Sequence, residues 1–189
     1  VCSSDLPLHS MTAENHVFSN LSLATEAPPL SVVSFWDADL QEWGGGQKSG
    51  KTGWPAEVVT QVVASGEFFF LKGPDYAVEP TEITITGELP SESTLARSVP
   101  GSGNIESMAN PYPVDFVFGT SSLASNAATF SVVSFWDADR QEWGGGQKGG
   151  KTGWPAEVVT QVVSATEGFF LREAGVASQW TVDKPYTWP

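Results

Sequence analysis

From residue 31 to residue 72 the apolar positions come in short, partly alternating runs broken by turn-forming residues, a pattern of strands rather than helices. Ser31 to Trp36 (SVVSFW) is β-rich and stops at Asp37, Ala38 and Asp39, where Asp side chains can bond nearby backbone amides. Gln41, Glu42 and Trp43 return as a short strand, so a hairpin is expected, with Trp36 and Trp43 placed for cross-strand packing. Gly44 to Gly53 reads as a loop closed by Trp54 and Pro55. Glu57 to Val63, rich in β-branched residues, reads as a strand, and Glu67 to Lys72 as another. Glu82 to Thr86 alternates as a half-buried strand does, and Pro80, Pro90, Pro100, Pro111 and Pro113 punctuate the link toward residue 114. The expected fold class is all-β, built of sandwich-like or barrel-like modules.

Those modules repeat. Residues 31–63 and 131–163 are the same sequence at an offset of 100, apart from Leu40 against Arg140 and Ser49 against Gly149. Phe18, Ser22, Leu23, Ala24 and Ala27 recur as Phe118, Ser122, Leu123, Ala124 and Ala127, and Phe69, Phe70 and Leu71 as Phe169, Phe170 and Leu171. The sequence thus predicts two tandem modules related by an internal repeat of about 100 residues, a common domain size. The expected division is 7–88 for the first and 89–189 for the second, with contacts between the tandem modules. Asn110 to Pro113 has no clear counterpart in the first copy, whose N-terminal strand or strands are expected to be lost.

Composition narrows the function. A formal charge of -13 and a pI near 4.3 repel polyanions, so nucleic acid is not an expected partner. No apolar run reaches the length of a membrane span. Val1 to Leu6 (VCSSDL) resembles the translation of a sequencing-adapter end, GTG TGC TCT TCC GAT CT, and residues 1–6 are expected to be a non-native scar. Cys2, the only cysteine, falls within it, which leaves no disulfide or thiol chemistry.

Asn110, Pro111, Tyr112, Pro113, Val114 and Asp115, then the hairpin Phe135, Trp136, Asp137 with Glu142 and Trp143, then a Gly-rich loop ending Gly153 and Trp154, then Glu167 to Leu171 (EGFFL), form a succession. It resembles an uncharacterised β-module that recurs in tandem in exported and surface proteins of environmental bacteria. The resemblance implies an extracytoplasmic or cell-surface structural or adhesive module, with no catalytic residues. The first copy departs from it in lacking the Asn-Pro-Tyr-Pro segment and in having Phe68 where Gly168 stands.

Several residue sets invite chemistry. GGGQKSGKTGWP, Gly44 to Pro55, satisfies the letters of a phosphate loop, as does Gly145 to Thr152. The required helix cannot follow directly, because Gly53, Trp54 and Pro55 stand where it must begin and the residue before proline avoids helical space. Nucleotide binding is rejected, and Lys48 and Lys51 are expected in solvent. Asp37, Asp39, Asp137 and Asp139 are weak Ca²⁺ candidates, set against turn capping by Asp37. Trp36, Trp43, Trp54, Trp136, Trp143 and Trp154 are either packing residues or stacking platforms for a polysaccharide. Asp37 or Asp39 paired with Glu67 is the remaining carboxylate arrangement for glycoside hydrolysis. His9 and His16 have no counterparts in the second copy, so no repeated histidine site is expected. The reading is a non-catalytic module without cofactor, a carbohydrate-binding module its alternative and a glycoside hydrolase third; polysaccharide or a surface protein is the expected partner.

Overall fold

The computed structural model describes residues 6–9, 16–64, 66–74, 92–165 and 167–185. In chain order it contains β1 Leu6–His9, β2 His16–Val17, α1 Ser22–Glu26, β3 Val32–Asp37, β4 Glu42–Gln47, α2 Ala56–Val59, β5 Val62–Val63, β6 Phe68–Lys72 and β7 Thr94–Val99. Beyond these lie β8 Ile105–Ala109, β9 Phe116–Val117, α3 Ser122–Asn126, β10 Val132–Asp137, β11 Glu142–Gln147, α4 Ala156–Val159, β12 Val162–Val163, β13 Gly168–Arg172 and β14 Ser178–Asp183. Strands predominate and the helices are one turn or little more, so the fold is all-β. The two four-stranded sheets, ordered β1-β6-β3-β4 and β11-β10-β13-β8, are both open, which removes the barrel alternative.

The hairpin forms where the sequence places it. Asp37 Oδ1 accepts from the amides of Asp39 and Leu40 at 2.9 Å, and Gln41 closes the turn at φ 56°. Trp36 then faces Trp43 across β3 and β4, as Trp136 faces Trp143 across β10 and β11. The return strand is longer than expected, because β4 runs through Gly44, Gly45 and Gly46 to Gln47 rather than giving way to a loop. Glycine is required here for close approach: a Cβ on Gly46 would stand 2.8 Å from Pro55 Cγ, and one on Gly45 would collide with the Val33 carbonyl. The segment expected as a strand over Glu57–Val63 is corrected too. It begins as the helical turn α2, with Pro55 as its N-cap at φ -58° and Val58 buried, and only Val62 and Val63 are strand.

The first copy holds a counterpart of β8. β1 pairs with β6 through Leu8↔Phe69 and His9↔Phe68, and β8 pairs with β13 through Met108↔Phe169 and Ala109↔Gly168, the same register 100 residues on. Leu6, the last residue of the adapter-like stretch, opens β1. Val1 to Asp5, including Cys2, lie outside the described residues, as do Glu82 to Thr86 and the junction between residues 88 and 89.

Each sheet buries one face under its own half of the chain. Val33, Phe35, Phe69 and Leu71 meet Phe18, Leu23, Ala24, Val58 and Val63 in one core. Val133, Phe135, Phe169 and Leu171 meet Phe118, Leu123, Val158 and Val163 in the other, which also takes Val99 from β7 and Trp180 from β14. Phe18 and Phe118 sit edge-on to their neighbours, with centroids 5.4 Å from Phe35 and Phe135 respectively. The opposite faces of the two sheets meet each other. Sheet thus faces sheet between the two halves, and in the second half the β7–β14 pair also lies over the core face of its four-stranded sheet.

Candidate functional site

On the strand faces turned away from the cores, alternation leaves Trp36, Trp43, Phe68 and Phe70 in the first half and Trp136, Trp143 and Phe170 in the second. These rings form one continuous stack. Trp36 lies 5.4 Å from Phe170, and Phe70 reciprocally 5.6 Å from Trp136. Trp43 touches Phe70 and Phe170 at 5.5 and 5.7 Å, while Trp143 touches the same two rings at 6.0 and 5.0 Å. Most pairs are edge-to-face or tilted, as ring quadrupoles favour. Trp36 Nε1 donates to the Ile105 carbonyl at 3.0 Å, and Gln41 brackets the same residue, donating to its carbonyl and accepting its amide at 2.8 Å. Trp136 Nε1, the equivalent donor, is buried without a partner. Trp43 and Trp143 nevertheless keep 44% and 40% of their surface exposed, so an edge of the stack reaches solvent.

Trp54 and Trp154 lie elsewhere, against the cores. Trp54 is half-buried 5.3 Å from Phe18, and Trp154 is buried at the same distance from Phe118. Each indole donates 2.8 Å to a helix carbonyl, that of Ala24 or Ala124. The expectation that Lys48 is solvated is corrected: its Nζ donates to the carbonyls of Ala24, Thr25 and Ala27 at 3.0, 2.9 and 2.6 Å, closing the end of α1. It also lies 5.9 Å from the centre of the Trp54 ring. Lys148 repeats the arrangement over Trp154. Lys51 and Lys151 are exposed at the tip of a turn closed by Ser49↔Gly53 and Gly149↔Gly153 bridges. Helix begins only after Pro55: α2 starts at Ala56, five residues beyond Lys51. The amides of Lys51 and Thr52 donate to Ser49 Oγ at 3.2 and 3.4 Å.

The carboxylates are mostly engaged with the chain itself. Asp137 caps its turn as Asp37 does, with Asp139 and Arg140 amides at 3.0 Å, and the Arg140 side chain lies 3.7 Å from its other oxygen. Asp39 and Asp139 are exposed beside these turns. Among the described residues, no group of three or more His, Cys, Asp or Glu is gathered to hold a metal. Glu67 accepts the Ala64 amide at 3.1 Å and pairs with Arg97 at 3.4 Å. His16 sits in β2 opposite Val63, and the backbone of His9 in β1 opposite Phe68.

Two groups escaped the sequence reading. Arg97 on β7 reaches Glu106 at 2.8 Å as well as Glu67, tying the two halves together. Burial of Glu106 pushes its pKa above the usual carboxylate value, against the opposing pull of Arg97. Glu173, 2% exposed, accepts from the Ala128 amide, Ser131 Oγ and the Gly175 amide at 3.0, 2.8 and 3.0 Å. Only the departure from the repeat at Gly73 marks Glu173 in the sequence; nothing comparable marks Arg97. No helix of the described residues is long and apolar enough to cross a membrane. Compared with protein-family models, curated proteins and solved structures, the chain matches none.

Proposed function

We propose that the chain is a non-catalytic structural or adhesive stretch of an exported protein, made of two tandem β-modules that arose as an internal repeat and divide near residues 88 and 89. The observation that carries this reading is the aromatic stack, which devotes large side chains of both sheets to holding the halves together. Asp37, Asp137, Lys48, Lys148 and Glu67 of the patterned motifs serve turns, helix ends and an ion pair. An acidic surface favours solubility and suits a position outside the cell or on its surface. The partner on this reading is another surface protein; a polysaccharide is the partner of the second reading.

The second reading, a carbohydrate-binding module, draws on the exposed edges of Trp43 and Trp143. Titration of the full chain with a panel of soluble polysaccharides separates the two. Unchanged tryptophan emission and unchanged migration on affinity gels are expected of a structural module. A saturable emission change abolished by Trp43→Ala/Trp143→Ala, with melting of the variant unchanged, overturns the proposal in favour of the binder.

A further inference from the structure

The aromatic stack is reciprocal except at one place. Trp36 with Phe170 and Trp136 with Phe70 are equivalent pairs across the interface, at 5.4 and 5.6 Å. Phe68 has no such mate, because its repeat position is Gly168. A Cβ built on Gly168 would run into the Phe68 ring at Cδ1, Cγ and Cβ. Phe68, 2% exposed, therefore fills the space that both repeat positions would claim, and it packs 5.0 Å from Phe170 and 5.6 Å from Phe70.

We propose that Phe68 and Gly168 act as knob and hole that make this interface selective for unlike modules: a Phe-bearing face accepts only a face with glycine at the matching position. Two Phe-bearing faces would put two rings in one space, and close-packed interiors do not absorb such an excess. Two glycine faces would leave a ring-sized void and lose the contacts that fill it. The partner that fits each half is thus the other half of the same chain, and pairing of like halves between two copies is disfavoured although the other rings of the interface, Trp36, Trp43 and Phe70 against Trp136, Trp143 and Phe170, are the same.

Because each sheet has its own core on its opposite face, the interface can open without unfolding either half. Two amide hydrogen bonds report on it alone: Ile105 N–H to Gln41 Oε1 and Ala109 N–H to the Gly66 carbonyl, both 2.8 Å. Hydrogen exchange on the full chain is expected to show protection of both amides falling tenfold or more in Gly168→Phe, and several-fold in Gly168→Ala, while the amides of β10 stay protected. The swap Phe68→Gly/Gly168→Phe moves the knob to the other half and is expected to regain most of the loss. Wild-type protection of Ile105 and Ala109 in Gly168→Phe overturns the proposal. So does a swap no better protected than Gly168→Phe alone. If Gly168→Phe does not fold, Gly168→Ala decides, and undiminished protection there has the same consequence.

Discussion

Replacing Lys148 by methionine tests whether the glycine-rich segment is a solvated loop or part of the module's frame. Methionine keeps much of the side chain's length and apolar stem, so the change removes chiefly the ammonium group. That group donates to Ala124, Ser125 and Ala127 carbonyls at 2.9, 3.1 and 2.6 Å. It also lies 5.9 Å from the Trp154 ring centre. A hydrogen bond from a charged group contributes about 1.5 to 3 kcal/mol net, and an exposed cation over an aromatic ring about 0.5 to 1 kcal/mol. The three bonds share one charge and are not additive; moreover, the Ala124 carbonyl keeps its bond from Trp154 Nε1 at 2.8 Å. A loss of about 3 kcal/mol is expected. For a domain of roughly 100 residues this lowers Tm by about 12 to 20 °C. Lys151→Met, at the exposed tip of the same segment, is the control and should change stability by no more than about 0.5 kcal/mol. Urea denaturation followed by tryptophan emission measures both. Equal midpoints for the two variants would refute the capping role and return Lys148 to solvent.

Two further outcomes concern buried polar groups. Since burial raises the pKa of Glu106, its contribution to stability is fully present below its ordinary value of 4.5 and is lost as pH rises through the folded-state value. Glu106→Gln should therefore gain on the wild type as pH rises above 4.5, and a stability difference that stays flat or moves the other way contradicts this assignment. Ser31 Oγ is buried without a partner, whereas Ser131 Oγ donates to Glu173 at 2.8 Å and accepts the Ala174 amide at 3.0 Å. Ser31→Ala should be neutral or stabilising and Ser131→Ala should cost about 1 to 3 kcal/mol, a contrast that chemical denaturation of the two variants checks directly.

The hairpin and its tryptophan pair were legible in the sequence because both depend on neighbours in the chain: a β-rich run, an Asp that caps the turn and a return strand. Strand β6 was legible for the same reason. What escaped reading depended on distant partners. Gly44 to Gly46 carry the composition of a loop, yet they are strand because only glycine lets β4 lie against Pro55 and the Val33 carbonyl. Lys48 looks solvated until α1, more than 20 residues earlier in the chain, is placed beneath it. The β-branched residues from Val58 to Val63 favour a strand, but Pro55 starts a helical turn that buries Val58, so packing overrides propensity. The tryptophans divided between alternatives that sequence could not separate: Trp54 and Trp154 face the cores, while Trp36, Trp43 and their counterparts join the halves.

The departures from the repeat explain more than the identities do, because several of them change together around one site. In the second half Glu173 is an acceptor for the Ala128 amide, and Ser131 Oγ receives the amide of Ala174. In the first half the residues corresponding to Glu173, Ala128 and Ala174 are Gly73, Pro28 and Pro74: there is no carboxylate, and two of the three positions that donate an amide in the second half carry prolines without N–H. A buried network can be lost cheaply only if its donors and acceptors go together, since each orphan left behind costs its own desolvation. Ser31 keeps its hydroxyl, which is buried without a partner. The same logic governs the interface, where the change from glycine to phenylalanine at one repeat position is tolerable only because the other copy keeps glycine. The differences between the halves are therefore paired, within the rim of each core and across the sheet faces. Shuffling single residues between the halves should destabilise the chain even where both residues are native to one copy.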